Sequence, residues 1–426
     1  MSTISDPPTA GAPTAAAVLH RWRYAGVFVL LFLFGTETFL VSPLLPTIAG
    51  SIGVTESAAA SGVTAYVLVY AVFAPFLGQL SDRFGRRRTL LAGTLLFVLS
   101  NAGAALSTSL TLLVLSRAVA GLAAAAAGPA IWAHIAETAP DAVRGRALGL
   151  GMALFSCGQV IGVPLGGLLA GAAGWRAAFW ALTAGTATAV PLLLRQVAGG
   201  PAPAAAPRGP APCCAACRPP APAAGSVRSV LAAWADPALR RALLVNTAFH
   251  AGNLGAYTFL GAVLVQRFGL SVQALGLVGV LVGAGSVAGS LAGGRLGDRA
   301  RAAGRTGLPL LPLWGLLLAA GVALAAQGPG LAVALAGVAV WFTASGGFVT
   351  DQQTLAGTVA PGLRATSSAW LTSTMYAGTG LGAWAVGTFA DPARGALLVG
   401  AGAALLAAAG AVVVGRGLRG AAAEPG

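Results

Sequence analysis

Apolar stretches of about twenty residues, the length that crosses a bilayer as a helix, recur along the chain and alternate with short polar gaps. They are apolar all round, which reads as helix inside a membrane and not as the one-sided helix of a soluble domain. Six spans are expected at about 24–46, 57–80, 89–107, 110–137, 145–173 and 175–196, and six more at about 240–265, 272–294, 306–327, 330–357, 366–390 and 393–415. Between the two sets, Gly199 to Ala224 is almost wholly Pro, Ala, Gly, Cys and Arg, a linker by composition. The expected organisation is a disordered tail over 1–19, a six-helix unit over 20–196, a linker over 197–237, a second six-helix unit over 238–416 and a tail over 417–426. No small-residue cleavage site follows the first span convincingly, so that span is expected as a retained helix and not a signal peptide.

Composition agrees with an all-α polytopic membrane protein of twelve transmembrane helices in two six-helix halves. Of 426 residues, 57% are hydrophobic and 8% charged, with a mean hydropathy of +0.81; soluble domains carry roughly 25% charged residues. Barrel strands are runs of about ten alternating residues, unlike these. The formal charge of +14 would suit a nucleic-acid binder, but the arginines fall in the gaps between apolar runs, so no nucleic-acid partner is expected. All 25 basic residues are Arg. With the spans above, 21 lie on one side, Arg176, Arg267 and Arg394 lie on the other, and Arg117 lies within a span. The positive-inside rule then puts both termini and the linker in the cytoplasm of a cell-membrane protein. Cys214 and Cys217 form a C-x-x-C in the linker beside Cys213, and Cys157 lies in a span; no second pair or histidine completes a zinc site. No cofactor or metal is expected.

The densest charge is Gly78-Gln79-Leu80-Ser81-Asp82-Arg83-Phe84-Gly85-Arg86-Arg87-Arg88, expected as a loop between spans 2 and 3. Its G-x-x-x-D-R pattern returns 216 residues later as Gly294-Arg295-Leu296-Gly297-Asp298-Arg299, without the following G-R-R. Ala139-Pro140 running to Arg144 is likewise echoed by Ala360-Pro361 running to Arg364. The charged island resembles the loop signature of the major facilitator superfamily of secondary transporters. That resemblance implies two parallel six-helix halves with substrate bound between them near the midplane, and a monomer. It also implies that Asp82 pairs with arginines and a helix end of the other half in the outward-facing state. A gate is therefore expected from Gly78, Asp82, Arg83, Gly85, Arg86, Arg87, Glu137, Asp298 and Arg299, since charge-assisted bonds are strong yet separable.

Span 5 carries Gly158, Gly162 and Gly166, a spacing that lets helices approach closely, with Pro164 and Gly167 among them. It resembles the family's antiporter signature G-x-x-x-G-P-x-x-G-G, except that Pro164 stands two residues after Gly162. Gly285, Gly289 and Gly293 in span 8 read as packing. Span 1 carries Glu37, about thirteen residues into the membrane, where an ionisable group needs a functional or structural reason. Its surroundings resemble the first helix of the drug:proton antiporter branch, including chloramphenicol and sugar efflux carriers. Glu37, Asp351 of span 10 and Arg117 of span 4, the last within a resemblance to the family's R-x-x-x-G motif, are the proton-coupling candidates; Glu37 and Arg117 are also candidate neighbours. A polar face over His250, Asn253 and Tyr257, together with Tyr66, Tyr70, Gln159, Gln352, Thr372, Tyr376 and Thr379, is expected to line the substrate cavity; a bonded interhelical contact is the other reading of each.

The leading functional expectation is a proton-coupled exporter of small amphipathic compounds, with protons and a small-molecule substrate as partners in a lipid bilayer. The alternative is a symporter or facilitator importing a nutrient. An enzyme is not expected: His20, His134 and His250 have no metal-ligand spacing, and a chain without lysine has no phosphate-binding G-x-x-x-x-G-K-[ST] loop. A receptor without transport is the remaining class.

Overall fold

The computed structural model describes residues 24–139, 141–196, 231, 234–302, 310–359 and 364–423. The N-terminal tail and most of the linker, with Cys213, Cys214 and Cys217, lie outside them. Among the described residues the chain is all helix and turn. We number twelve helices. The first four are α1 (Ala25–Ile52), α2 (Glu56–Phe84), α3 (Arg86–Ala105) and α4 (Leu110–Thr138). Helix α5 runs Asp141–Cys157, through a π-helical turn Gly158–Gly162, into Val163–Ala173, and α6 is Trp175–Gln196. Helix α7 comprises Pro237–His250, a π-helical turn Ala251–Gly255 and, after a turn at Thr258 and Phe259, Leu260–Phe268. There follow α8 (Val272–Ala302), α9 (Leu310–Gln327), α10 (Leu331–Val359) and α11 (Arg364–Gly387). Helix α12 runs Pro392–Gly395, a π-helical turn Ala396–Ala401 and Gly402–Ala423. Eleven of these are long and apolar enough to cross a membrane; α11, with its Thr and Ser residues, is the more polar one.

Several boundaries differ from expectation. The charged island is not a loop: α2 continues to Phe84 and α3 starts at Arg86, so Gly85 alone joins them. Its φ of 92° is a conformation that side chains with a Cβ disfavour. Arg295 and Arg299 likewise stand on α8, and the expected C-terminal tail is helical as far as Ala423. Helix α1 extends past Pro43 and Pro46 to Ile52. The π turn of α5 precedes Pro164, whose missing N–H interrupts the regular ladder; kinks of this kind gather at Pro and π turns.

The helix contacts form a repeat. In the first half α2 and α3 pack on α4, and α6 packs on α3 and α1, with α1 also against α5. In the second half α8 and α9 pack on α10, and α12 packs on α9 and α7, with α7 also against α11. The halves meet through the reciprocal pairs α2–α11 and α5–α8, and through α1–α7. Glycine makes these approaches close enough. A methyl at Gly158 would run into the Phe32 carbonyl of α1, and one at Gly289 into the Thr343 carbonyl of α10. At Gly167 it would strike the Gly276 backbone of α8. The span-5 glycines are thus divided: Gly158, Gly162 and Gly166 face α1, and Gly167 faces the other half.

Two arginines on the sparse side of the census have a structural task. Arg176 donates to Ser107 O (2.8 Å) beyond the end of α3, and lies over the Trp175 ring. Arg267 donates to Ala325 O (3.1 Å) and to Gly328 O at the end of α9, and lies over Phe268. Each meets carbonyls that a helix C-terminus leaves unpaired.

The halves are also joined by Ser57 Oγ at the start of α2, which donates to Gly387 O at the end of α11. A Cβ on Gly387 would stand 3.7 Å from Ser57 Cβ, close to the mean disulfide separation of about 3.8 Å. Ser57→Cys/Gly387→Cys is expected to form a disulfide under mild oxidation. With a protease site placed in the linker, the two fragments should then migrate together on a non-reducing gel and separate on reduction. Gly158→Leu should sharply reduce the yield of folded protein in detergent gel filtration.

Candidate functional site

A cavity of about 30 Å³ lies between the halves. Helix α1 lines it with Glu37, Thr38, Val41 and Ser42, and α2 with Val63, Tyr66 and Val67. Arg117 enters from α4, and the second half supplies Leu254, Tyr257 and Thr258 from α7 and Tyr376 and Thr379 from α11. Pockets that hold drug-sized molecules measure roughly 300–1,000 Å³. In this conformation the helices are closed around the site, and they must part to admit such a molecule.

Glu37 and Arg117 form an ion pair in the wall, with Nη1 donating to Oε1 at 2.5 Å. They are 1% and 4% exposed, so the pair is out of water and each charge depends on the other. The Tyr66 ring lies 4.7 Å from the guanidinium carbon and the Phe179 ring 5.7 Å, both within cation–π reach. Among the described residues, Glu37 Oε2 and Arg117 Nε have no hydrogen-bond partner. Tyr376 faces Tyr66 at 6.3 Å between ring centroids and Tyr70 at 4.1 Å. The three rings carry α2 across to α11.

The other candidates separate from this group. His250 and Asn253 do not share the cavity with Tyr257, although their sequence spacing put all three on one helical face. The π turn Ala251–Gly255 intervenes and changes the register. Asn253 instead donates to Ser345 Oγ (2.7 Å), accepts from Trp341 Nε1 (2.9 Å) and lies 3.4 Å from His250 Nδ1. Asp351 accepts from Trp314 Nε1 at 2.6 Å between α9 and α10 and is not in the cavity wall. Gln352 donates to Ala242 O on α7 (2.7 Å), and Gln159 lies half-buried in the π turn of α5. Thr372 is not in the lining either. Ser42, Thr38 and Thr258 are lining residues that spacing arguments missed; Ser42 stands immediately before Pro43, which was the available signal.

At the end of the bundle where Gly85 joins α2 to α3, Arg86 grips Glu137 of α4 with both carboxylate oxygens, Nε to Oε2 at 2.6 Å and Nη2 to Oε1. Arg87 donates to Leu194 O near the end of α6 (3.2 Å). Arg299 is exposed on α8. The side chains of Asp82, Arg83 and Asp298 lie outside those described, as does the surrounding of Gly78.

Residues 27–383 match the family model described as Major Facilitator Superfamily. YceJ, an uncharacterized MFS-type transporter of Bacillus subtilis (strain 168), is 29% identical over 358 residues, which cover 83% of this chain and 86% of that protein. A chloramphenicol resistance protein of Streptomyces lividans is 33% identical over 268 residues, 63% of this chain and 64% of that protein. Among solved structures, a bacterial homolog to the human lysosomal transporter Spinster, inward-facing and occupied, has a TM-score of 0.73 at 17% identity, covering 94% of this chain and 98% of that one. A D-xylose-proton symporter has a TM-score of 0.70 at 18% identity, covering 92% and 97%. At those identities the likeness to the solved structures is one of fold.

The two ion pairs should respond differently to truncation. Arg117→Leu strands a buried carboxylate and is expected to cost about 3–5 kcal/mol; Glu37→Gln/Arg117→Leu should recover part of that loss. Glu137→Gln breaks a half-exposed pair and should cost less than about 1 kcal/mol. Thermal unfolding in one detergent compares all three.

Proposed function

We propose that the chain, which belongs to the major facilitator superfamily, is a proton-coupled exporter of small amphipathic compounds that works by alternating access. The observation that carries this reading is the buried Glu37–Arg117 pair in the wall of a cavity built by both halves. Protonation of Glu37 removes the charge that holds Arg117, so the contacts across α1, α2 and α4 differ between the two protonation states. A ligand or proton biases a two-state equilibrium only through such a difference. Each charge moved down the membrane potential supplies about 2.3 kcal/mol per 100 mV. The name of the chloramphenicol resistance protein among the relatives supports a drug-like substrate. The tyrosine rings and apolar side chains of the lining suit an aromatic or amphipathic one.

The arginine bias favours a cytoplasmic position for the end of the bundle that carries Gly85 and for both termini, in a cell membrane. On this reading the Arg86–Glu137 pair, with Asp82, Arg83, Asp298 and Arg299, gates the cytoplasmic face. The units 20–196 and 238–416 then rock about the seam between them, as a monomer. Asp351, held by Trp314, serves the packing of α9 on α10.

Proton flux in inverted membrane vesicles tests the reading. Phenicols, other drugs and sugars are added to vesicles holding a pH gradient, with Glu37→Gln beside wild type. Substrate-triggered collapse of the gradient in wild type, lost in Glu37→Gln, is expected. Uptake of a nutrient together with protons, and no collapse with any drug, would make the protein an importer instead. Collapse that survives the substitution would remove Glu37 from the proton path.

A further inference from the structure

Helix α1 contains two prolines, Pro43 and Pro46. A proline inside a helix has no N–H to offer the carbonyl four residues earlier, so these two release the carbonyls of Phe39 and Ser42. Inside a membrane a released carbonyl needs a partner within the protein or a water-filled cavity. For Phe39 O that partner comes from α7, and the same stretch of α7 packs on Ser42 O. Tyr257 Oη donates to Phe39 O at 2.9 Å, and the backbone of Gly261 presses so closely on Ser42 O that a methyl there would collide with it. The contact is reciprocal: Ser42 Oγ donates to Tyr257 O at 2.6 Å. That carbonyl lies just before the turn at Thr258 and Phe259 where α7 is interrupted, at a helix end with unpaired backbone groups.

These bonds stand between two cavities. Ser42 and Tyr257 line the central cavity on one side. On the other side they line a second, of about 10 Å³, with Pro43, Leu260, Gly261 and Leu264, and with α8 residues including Leu275 and Val278. The second cavity lies farther along α7 toward its junction with α8.

We propose that Ser42 and Tyr257 form a latch that closes the central cavity toward the ends of α1 and α7 leading to α2 and α8, and that the latch opens when the site faces that side. The released carbonyls suit this task. In the closed form Phe39 O accepts from Tyr257 across the seam and Gly261 covers Ser42 O, and in the open form the water entering the cavity takes over. The opening therefore leaves no backbone group bare, which a gate of regular helices closed by packing alone would not need to arrange.

The test measures how fast a cysteine in the central cavity reacts with a membrane-impermeant thiol reagent. Thr379→Cys provides the probe, with Cys157, Cys213, Cys214 and Cys217 replaced by serine. Reagent is applied both to intact cells and to inverted vesicles. Tyr257→Phe and Ser42→Ala each remove one bond and are expected to raise labelling about tenfold from the side of the α1–α2 and α7–α8 junctions, with no rise from the other side. Ser42→Thr keeps the hydroxyl and should label like the unsubstituted latch. Equal labelling in Tyr257→Phe and Ser42→Thr, with both eluting as folded protein, would overturn the latch, as would a rise on both sides together. Tyr257→Phe loses one oxygen and keeps the ring, so it carries the test alone if Ser42→Ala is not produced. Labelling requires neither substrate nor proton, so the latch and the exporter reading stand or fall separately.

Discussion

A carbonyl inside a bilayer must be hydrogen-bonded by the protein or by water that the protein admits. The irregular parts of this molecule follow from that constraint. Pro43 in α1 releases the Phe39 carbonyl that α7 takes up, and Pro164 is accommodated by a π turn in α5. Arginines at the far ends of α3 and α9 receive carbonyls that those helices cannot bond themselves. The regular parts follow from it too, because helices bond their own backbones and are free to pack wherever glycine lets them approach. What the chain then has to arrange is where its two halves touch, and there some backbone groups are satisfied across the seam.

The repeat shows how the halves divide their work. Asn253 lies 216 residues after Glu37, the separation of the two G-x-x-x-D-R patterns. Glu37 ties α1 to α4 through Arg117; Asn253 ties α7 to α10 through Trp341 and Ser345. One link is charged and has two protonation states to offer. The other is neutral, with both ends of the Asn253 amide bonded, and holds α7 to α10 at any physiological pH. A symmetry of packing is thus combined with an asymmetry of chemistry.

Much of this was legible in the sequence, and for identifiable reasons. Eleven long apolar helices follow from the thickness and polarity of a bilayer, which act on composition directly. Glu37 and Arg117 stood out because charges in a span are costly, and two lone opposite charges invite pairing. The failures came where backbone geometry intervenes between residue type and position. The G-R-R-R run looked like a loop because charge and glycine mark loops in soluble proteins; here a single glycine with positive φ sufficed, and the arginines were free to begin a helix outside the bilayer. His250 and Tyr257 were grouped by a regular helical period that the π turn between them breaks. Ser42 was overlooked because a serine next to a proline carries no charge to draw notice, and its partner, the Tyr257 carbonyl, lies just before an interruption of α7 that the sequence does not announce.

Gly85 is the whole of the connection between α2 and α3. Two helices of 29 and 20 residues, about 43 and 30 Å long, joined by a single residue form a crank with a stiff elbow. A loop of several residues would absorb a tilt of α2 as slack. A one-residue elbow passes it to α3, and Arg86 and Arg87, the first residues beyond the elbow, pass it to α4 and to the end of α6 through their grip on Glu137 and Leu194. A tilt of α2 against α11 at the seam would thus reach α4 and α6 through α3, which packs on both.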